Sequence, residues 1–294
     1  MKWITTLVVL LAGLSPATAY PNFQRFDSGC QTLAYLEYGK GKPLVLLAGG
    51  PGMNPAYMVP IAKILAAGNR QVLLLHQRGT GSSADAISCV DRMNLAGAIA
   101  DLEALRTHLR VKKLTIAGHS WGAMLAMAYA QEHPNRVAGL LLLDTGPVDQ
   151  SGFTIEIANV RARLTPEDRA ALRQAKGEAQ IDAIEQKAYF AEIANVGRLR
   201  ESIPAGEPIW YESVRQDLGP SLAKFDVMQG IRSLKAPVTL VFGRLDPGFF
   251  LARQIQEVQP NSKLIVVEGA GHYPWLEDYT QTATILKNAA DSMP

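Results

Sequence analysis

Short apolar runs alternate with stretches of helical periodicity along most of this chain. Leu44-Val45-Leu46-Leu47, Val72-Leu73-Leu74-Leu75 and Leu140-Leu141-Leu142-Leu143 contain no polar positions, which is the pattern of strands buried on both faces of a parallel sheet. Strands are predicted at Thr32–Tyr38, Leu44–Leu47, Val72–Leu75, Leu114–Ala117, Leu140–Leu143, Val238–Phe242 and Leu264–Val267. Helices are predicted between them, including Leu95–Leu109, Ala123–Glu132 and Asp278–Ala290. Strand and helix in alternation predict an α/β fold, a mostly parallel sheet covered by helices. The alternation stops between about Gly146 and Gly230, where the pattern is helical and amphipathic. Thr165-Pro166-Glu167-Asp168 is a helix start there, with a capping threonine and a first-turn proline. The expected organisation is a core of residues 20–145 and 231–294 with a helical cap, 146–230, inserted between two strands. Such a cap would lie over a site at the strand ends and shape its pocket.

The first residues read differently. Met1-Lys2 is a short basic start, and Ile4 to Leu14 is mostly apolar but short for a bilayer span. Ala17-Thr18-Ala19 is a small-x-small cleavage site, so residues 1–19 are expected to be a signal peptide and the mature chain to begin at Tyr20. An uncleaved anchor is the other reading. Export, periplasmic or secreted, gives the two cysteines meaning. Cys30 and Cys89 form an even pair in an oxidising compartment and are expected to bridge. Closing that loop would be worth about 4 kcal/mol in chain entropy; two unpaired thiols are the alternative. The 294 residues carry a net charge of +2, lowered to +1 once Lys2 leaves with the leader. No electrostatic case for nucleic acid arises.

The chemistry centres on Gly118-His119-Ser120-Trp121-Gly122, a Gly-x-Ser-x-Gly pattern between an apolar strand and a small-residue helix. In that context the serine sits at a strained turn with its hydroxyl clear of the sheet. Trp121 offers its backbone N–H at the first turn of the helix, toward developing negative charge. Ala48-Gly49-Gly50-Pro51-Gly52 ends an earlier strand, and Gly50 N–H is the expected second oxyanion donor. Of the five histidines, His108 lies in a polar helix, His133 at a helix end, His76 at the end of an early strand and His119 inside the elbow. His272 remains, in the glycine-rich loop after Leu264–Val267. Asp246, after Val238–Phe242, is the favoured acid because the order serine, aspartate, histidine then has one strand per member. Asp144, after Leu140–Leu143, is its rival; otherwise it caps the turn leaving the sheet.

These segments resemble the α/β-hydrolase superfamily, and within it the prolyl aminopeptidase (proline iminopeptidase) family. That family carries His-Gly-Gly-Pro-Gly, Asp-Gln-Arg-Gly-x-Gly-x-Ser and Gly-Gly-Ser-Trp-Gly segments. Here they read Ala48-Gly49-Gly50-Pro51-Gly52, His76-Gln77-Arg78-Gly79-Thr80-Gly81-Ser82-Ser83 and the elbow. Gly243-Arg244-Leu245-Asp246 and Gly271-His272-Tyr273-Pro274-Trp275 resemble the acid and histidine loops. Ala48, His76 and His119 depart from the family pattern without removing a catalytic group. The resemblance implies the α/β-hydrolase fold and a serine hydrolase that releases N-terminal proline or a small apolar residue from short peptides. It also implies an acidic cap residue that holds the substrate's α-amino group. Glu156, Glu192, Glu201, Glu207 and Glu212 are candidates, with Glu212 first because Trp210 and Tyr211 flank it.

Two other readings use the same residues. A carboxylesterase or lactonase would run the same serine chemistry on small acyl substrates. A non-catalytic binding protein on this fold would have no use for an intact serine, acid and histidine. The chemistry calls for no metal or organic cofactor, and the expected partner is a short peptide or small molecule.

Overall fold

The computed structural model describes residues 23–29, 31–84 and 93–294. Residues 1–19, the expected signal peptide, and both cysteines, Cys30 and Cys89, lie outside the described residues. Eight strands form one sheet: β1 (Phe23–Asp27), β2 (Thr32–Gly39), β3 (Lys42–Leu47), β4 (Arg70–His76), β5 (Leu114–His119), β6 (Val137–Leu143), β7 (Val238–Gly243) and β8 (Lys263–Val267). Their spatial order is β1-β2-β4-β3-β5-β6-β7-β8. β2 pairs antiparallel with both β1 and β4, and every other pairing in the sheet is parallel. The central strands are buried almost end to end, as runs such as Leu140–Leu143 require.

Twelve helices accompany the sheet among the described residues: α1 (Val59–Ala66), α2 (Leu95–His108), α3 (Trp121–Glu132), α4 (Gln150–Arg163), α5 (Pro166–Gln174), α6 (Glu178–Tyr189), α7 (Gly197–Glu201), α8 (Glu212–Leu218), α9 (Met228–Ser233), α10 (Phe250–Val258), α11 (Pro274–Glu277) and α12 (Tyr279–Asp291). Two apolar clusters divide at the sheet. One gathers α2, α3 and α10, and the other gathers α1 and α12. Among the described residues, no helix is long and apolar enough to cross a membrane.

Helices α4 to α9 all fall between β6 and β7. The local signals act as read: Thr165 caps α5 by accepting from Asp168 N–H, with Pro166 in the first turn. The inserted helices are tied to the loops at the strand ends. His272 donates its backbone N–H to Tyr189 O at 2.7 Å, and Glu277 Oε1 accepts from Ala191 N–H at 2.7 Å. On the other flank Asn54 N–H donates to Ile209 O and Tyr211 N–H to Gly52 O. Backbone bonds of this kind leave the inserted segment little freedom to slide over the strand ends.

Candidate active site

Ser120 stands between β5 and α3 with φ 54° and ψ −120°, a left-handed conformation that costs a non-glycine residue of order 1–3 kcal/mol. The chain is bent there so tightly that only glycine fits on either side. A Cβ on Gly118 would lie 2.3 Å from Gly122 O, and one on Gly122 would lie 2.4 Å from Leu47 O. The turn is held by Ser120 N–H donating to Leu143 O at 3.0 Å.

His272 is buried, and its Nδ1 donates to Asp246 Oδ2 at 3.0 Å. Asp246 Oδ1 accepts from Gly248 N–H at 2.8 Å, which fixes the carboxylate. Nδ1–H on that side leaves Nε2 as the basic nitrogen. Burial pushes the His272 imidazole toward the neutral form, but Asp246, aided by Glu156 and Glu277, outweighs it and raises the pKa above the ordinary histidine value. Asp144, the rival acid, lies in the same cluster: Asp144, Asp246 and His272 present polar atoms within 4.8 Å of one another. These are the residues of metal-ligating type that converge among those described, and the His272–Asp246 pair already uses the facing atoms. Asp144 Oδ1 accepts from Gly243 N–H at 2.7 Å, while Oδ2 is buried without a hydrogen-bond partner. Burial and the Asp246 charge push the Asp144 carboxyl well above the usual carboxylate range.

Gly49 donates its N–H to Tyr57 Oη at 2.7 Å. That leaves Gly50 as the glycine facing the site, and it lines the cavities with Ser120. Trp121, the first residue of α3, has an N–H with no acceptor inside the helix. Gln77 spans the segments of Gly50 and Trp121: its Nε2 donates to Ala48 O at 2.7 Å, and its Oε1 accepts from Trp121 Nε1–H at 2.9 Å. Arg78 is locked behind it in a buried bidentate pair with Asp101.

His119 has a part that its sequence position did not suggest. Its Nε2 lies 2.9 Å from His272 O and its Nδ1 lies 2.7 Å from Tyr57 Oη. A carbonyl only accepts, so Nε2 carries the proton and Tyr57 donates to Nδ1. The chain runs Gly49 N–H, Tyr57, His119, His272 O, and every member is satisfied with His119 neutral. Burial holds the His119 pKa well below the ordinary value, consistent with that tautomer.

Three cavities describe the space above these groups. One of about 190 Å³ holds Ser120, Gly50 and Trp121 and is walled by Met124, Phe153, Ile157 and Glu156. A polar one of about 110 Å³ holds Ser120, Gly50 and His272, with Asp182, Glu185, Tyr189 and Arg215. Both include Glu185 and Tyr189. The largest, about 470 Å³, lies among α6, α7 and the segment before α8. Glu212 lines this last cavity and neither of the two that reach Ser120. Glu156 and Glu185 are the glutamates of the inserted segment that line the first cavity with Ser120. Glu156 is the more deeply placed of the two in the hydrogen-bond network: it accepts from Tyr189 Oη at 3.3 Å, and burial raises its pKa to about 7. Asp182 is held by Arg215 in a two-point ion pair.

The alpha/beta hydrolase fold family matches residues 42–279, and with the sheet order and the elbow in place this decides the family. The chain belongs to the α/β-hydrolase fold family. This hydrolase is 30% identical over 290 residues to a proline iminopeptidase from Clostridium botulinum, covering 93% of this chain and 96% of that one. Its fold matches the proline iminopeptidase-related protein from Thermus thermophilus with a TM-score of 0.75 at 20% identity, covering 92% of this chain and 97% of that chain. An esterase from Exiguobacterium antarcticum matches with a TM-score of 0.69 at 17% identity, over 92% of this chain and 99% of that one. The hydrolase is therefore prolyl aminopeptidase-like in sequence, on a fold that esterases share.

Proposed function

We propose that this hydrolase is an exported serine aminopeptidase that releases an N-terminal proline or small apolar residue from short peptides. The observation that carries the reading is the chamber beside Ser120, where Glu156 and Glu185 sit among Phe153, Ile157 and Val160. That lining suits a small apolar residue with a free ammonium. Glu156 is half-protonated near neutrality when the chamber lacks a cation. An ammonium beside it would lower its pKa and draw out the ionised form.

Ser120 Oγ attacks the scissile carbonyl, and His272 Nε2 takes its proton. Asp246 keeps His272 in the required tautomer and stabilises the imidazolium. The tetrahedral oxyanion is held by the N–H groups of Gly50 and Trp121. His272 then protonates the departing amine, and water repeats the sequence on the acyl-enzyme. The amino-binding role falls to Glu156 with Glu185, because Glu212 faces another cavity. Carboxylesterase action is the second reading, supported by the apolar acyl chamber and the esterase of like fold.

The test compares prolyl-naphthylamide, its N-acetylated form and a short p-nitrophenyl ester. The aminopeptidase reading expects the free amide to exceed the acetylated one by at least tenfold in kcat/KM, since a desolvated ion pair is worth about 2–5 kcal/mol. Equal turnover of the two amides would overturn it, and fast ester with negligible amide turnover would select the esterase.

A further inference from the structure

The two cavities that meet at Ser120 differ in which catalytic groups they contain. Trp121, an oxyanion donor, lines only the first, and His272 lines only the second. A leaving group must depart on the side from which it is protonated. The acyl part of the substrate therefore occupies the Trp121 side and the leaving group the His272 side. The His272 side does not end at the nucleophile. It shares Asp182, Gln186 and Trp210 with the 470 Å³ cavity, so the two adjoin along that wall.

We propose that this larger cavity is the leaving-group site of the hydrolase and that it selects apolar leaving groups of leucine or phenylalanine size. The proposal rests on the roles of Ser120 and His272 given above and deepens them. The wall is mainly apolar: Val196, Leu199, Ile209, Trp210 and Ala183 contribute. Its volume falls within the range of small-ligand pockets, roughly 300–1,000 Å³. The neck is polar and narrow; its Asp182–Arg215 pair is internally satisfied, and Glu185 lines it as well. Arg215 also lies over the Trp210 ring, 5.0 Å from its centroid. Trp210 is further held by its bridge to Met53, next to the oxyanion loop. The pocket is thus fixed relative to Gly50 and gains from preorganisation. Exposed Ala183 and Arg200 mark where it meets solvent, which lets a longer peptide continue outward.

The experiment measures kcat/KM for two series with a constant acyl part. One is prolyl-X-amide with X glycine, alanine, leucine and phenylalanine. The other is propionate esters of methanol, butanol and hexanol. The expected result is a rise of about three- to fourfold per buried methylene, at least tenfold across whichever series is turned over. Ala183→Phe and Ile209→Trp, which add bulk to the lining from α6 and from the segment before α8, should flatten the rise and leave the smallest member of each series within about twofold. A flat profile in both series, or a rise unchanged in both filled variants, overturns the assignment. Failure of the aminopeptidase reading reads out separately, as absent amide turnover with the ester gradient intact.

Discussion

Asp144 and Asp246 follow adjacent parallel strands and lie in one buried cluster with His272, yet only Asp246 is hydrogen-bonded to the histidine. Asp144 instead binds the backbone of Gly243, at the start of the acid loop. Its pKa is pushed upward by burial and by the Asp246 charge, because two adjacent buried carboxylates cannot both ionise without large cost. The two aspartates therefore answer differently to the same substitution. Asp246→Asn should lower kcat by about 10³–10⁴ through loss of the right tautomer. Asp144→Asn keeps an uncharged acceptor for Gly243 N–H and should stay within about threefold of the parent, whereas Asp144→Ala should cost about 1–3 kcal/mol of stability. Steady-state rates and thermal melts on the three variants decide this, and an Asp144→Asn loss as deep as that of Asp246→Asn would reverse the assignment of the acid.

Activity should rise with pH through the titration of His272, since only the neutral imidazole is a base. The pKa is raised in the fold, so the acid limb of kcat/KM should have its midpoint above the ordinary value of about 6.5. The groups that act on it are Asp246, Glu156 and Glu277. Glu156→Gln removes one negative neighbour and should move the limb to lower pH. A profile flat between about pH 5 and 8 would be inconsistent with His272 as the base.

Glu156 and Glu212 make opposite forecasts for substrate choice. If the ammonium sits beside Ser120, Glu156→Gln should erase at least tenfold of the preference for a free over an acetylated amine, through KM more than kcat. Glu212→Gln should leave that preference unchanged. Measuring both ratios settles which carboxylate is involved; the reverse pattern would return the role to Glu212.

The expected signal peptide and the proposed disulfide yield to direct chemistry. The mature protein should begin at Tyr20, and peptide mapping without reductant should recover Cys30 joined to Cys89. Two free thiols in exported protein would refute the bridge.

The strands and the loops after them were legible because burial on both faces removes polar alternation from runs such as Val72–Leu75. β1 was missed: Phe23-Gln24-Arg25-Phe26-Asp27 is short, mostly polar without regular alternation and at the sheet edge. The elbow, Asp246 and His272 could be read because each follows its own strand, and the structure brings the latter two together. The cap resisted because long-range packing, not local pattern, decides which of its many glutamates turns inward. Aromatic neighbours pointed to Glu212, but Trp210 is a wall common to two cavities while Glu212 lines only the outer one. Glu156 carried no such flag; α4 has almost no amphipathic stripe to set its inner face apart.

The ordered line from Gly49 through Tyr57 and His119 to the His272 carbonyl joins the ends of β3, β5 and β8. Each link has a fixed direction, so the oxyanion loop, the nucleophile turn and the base loop act as one unit. A second proton on His119 would point N–H at a hydroxyl that has just lost its own acceptor. The aspartate, serine and histidine are thus only the visible part of the machine, and transplanting them onto another sheet without Tyr57 and His119 would carry over the chemistry and leave its alignment behind.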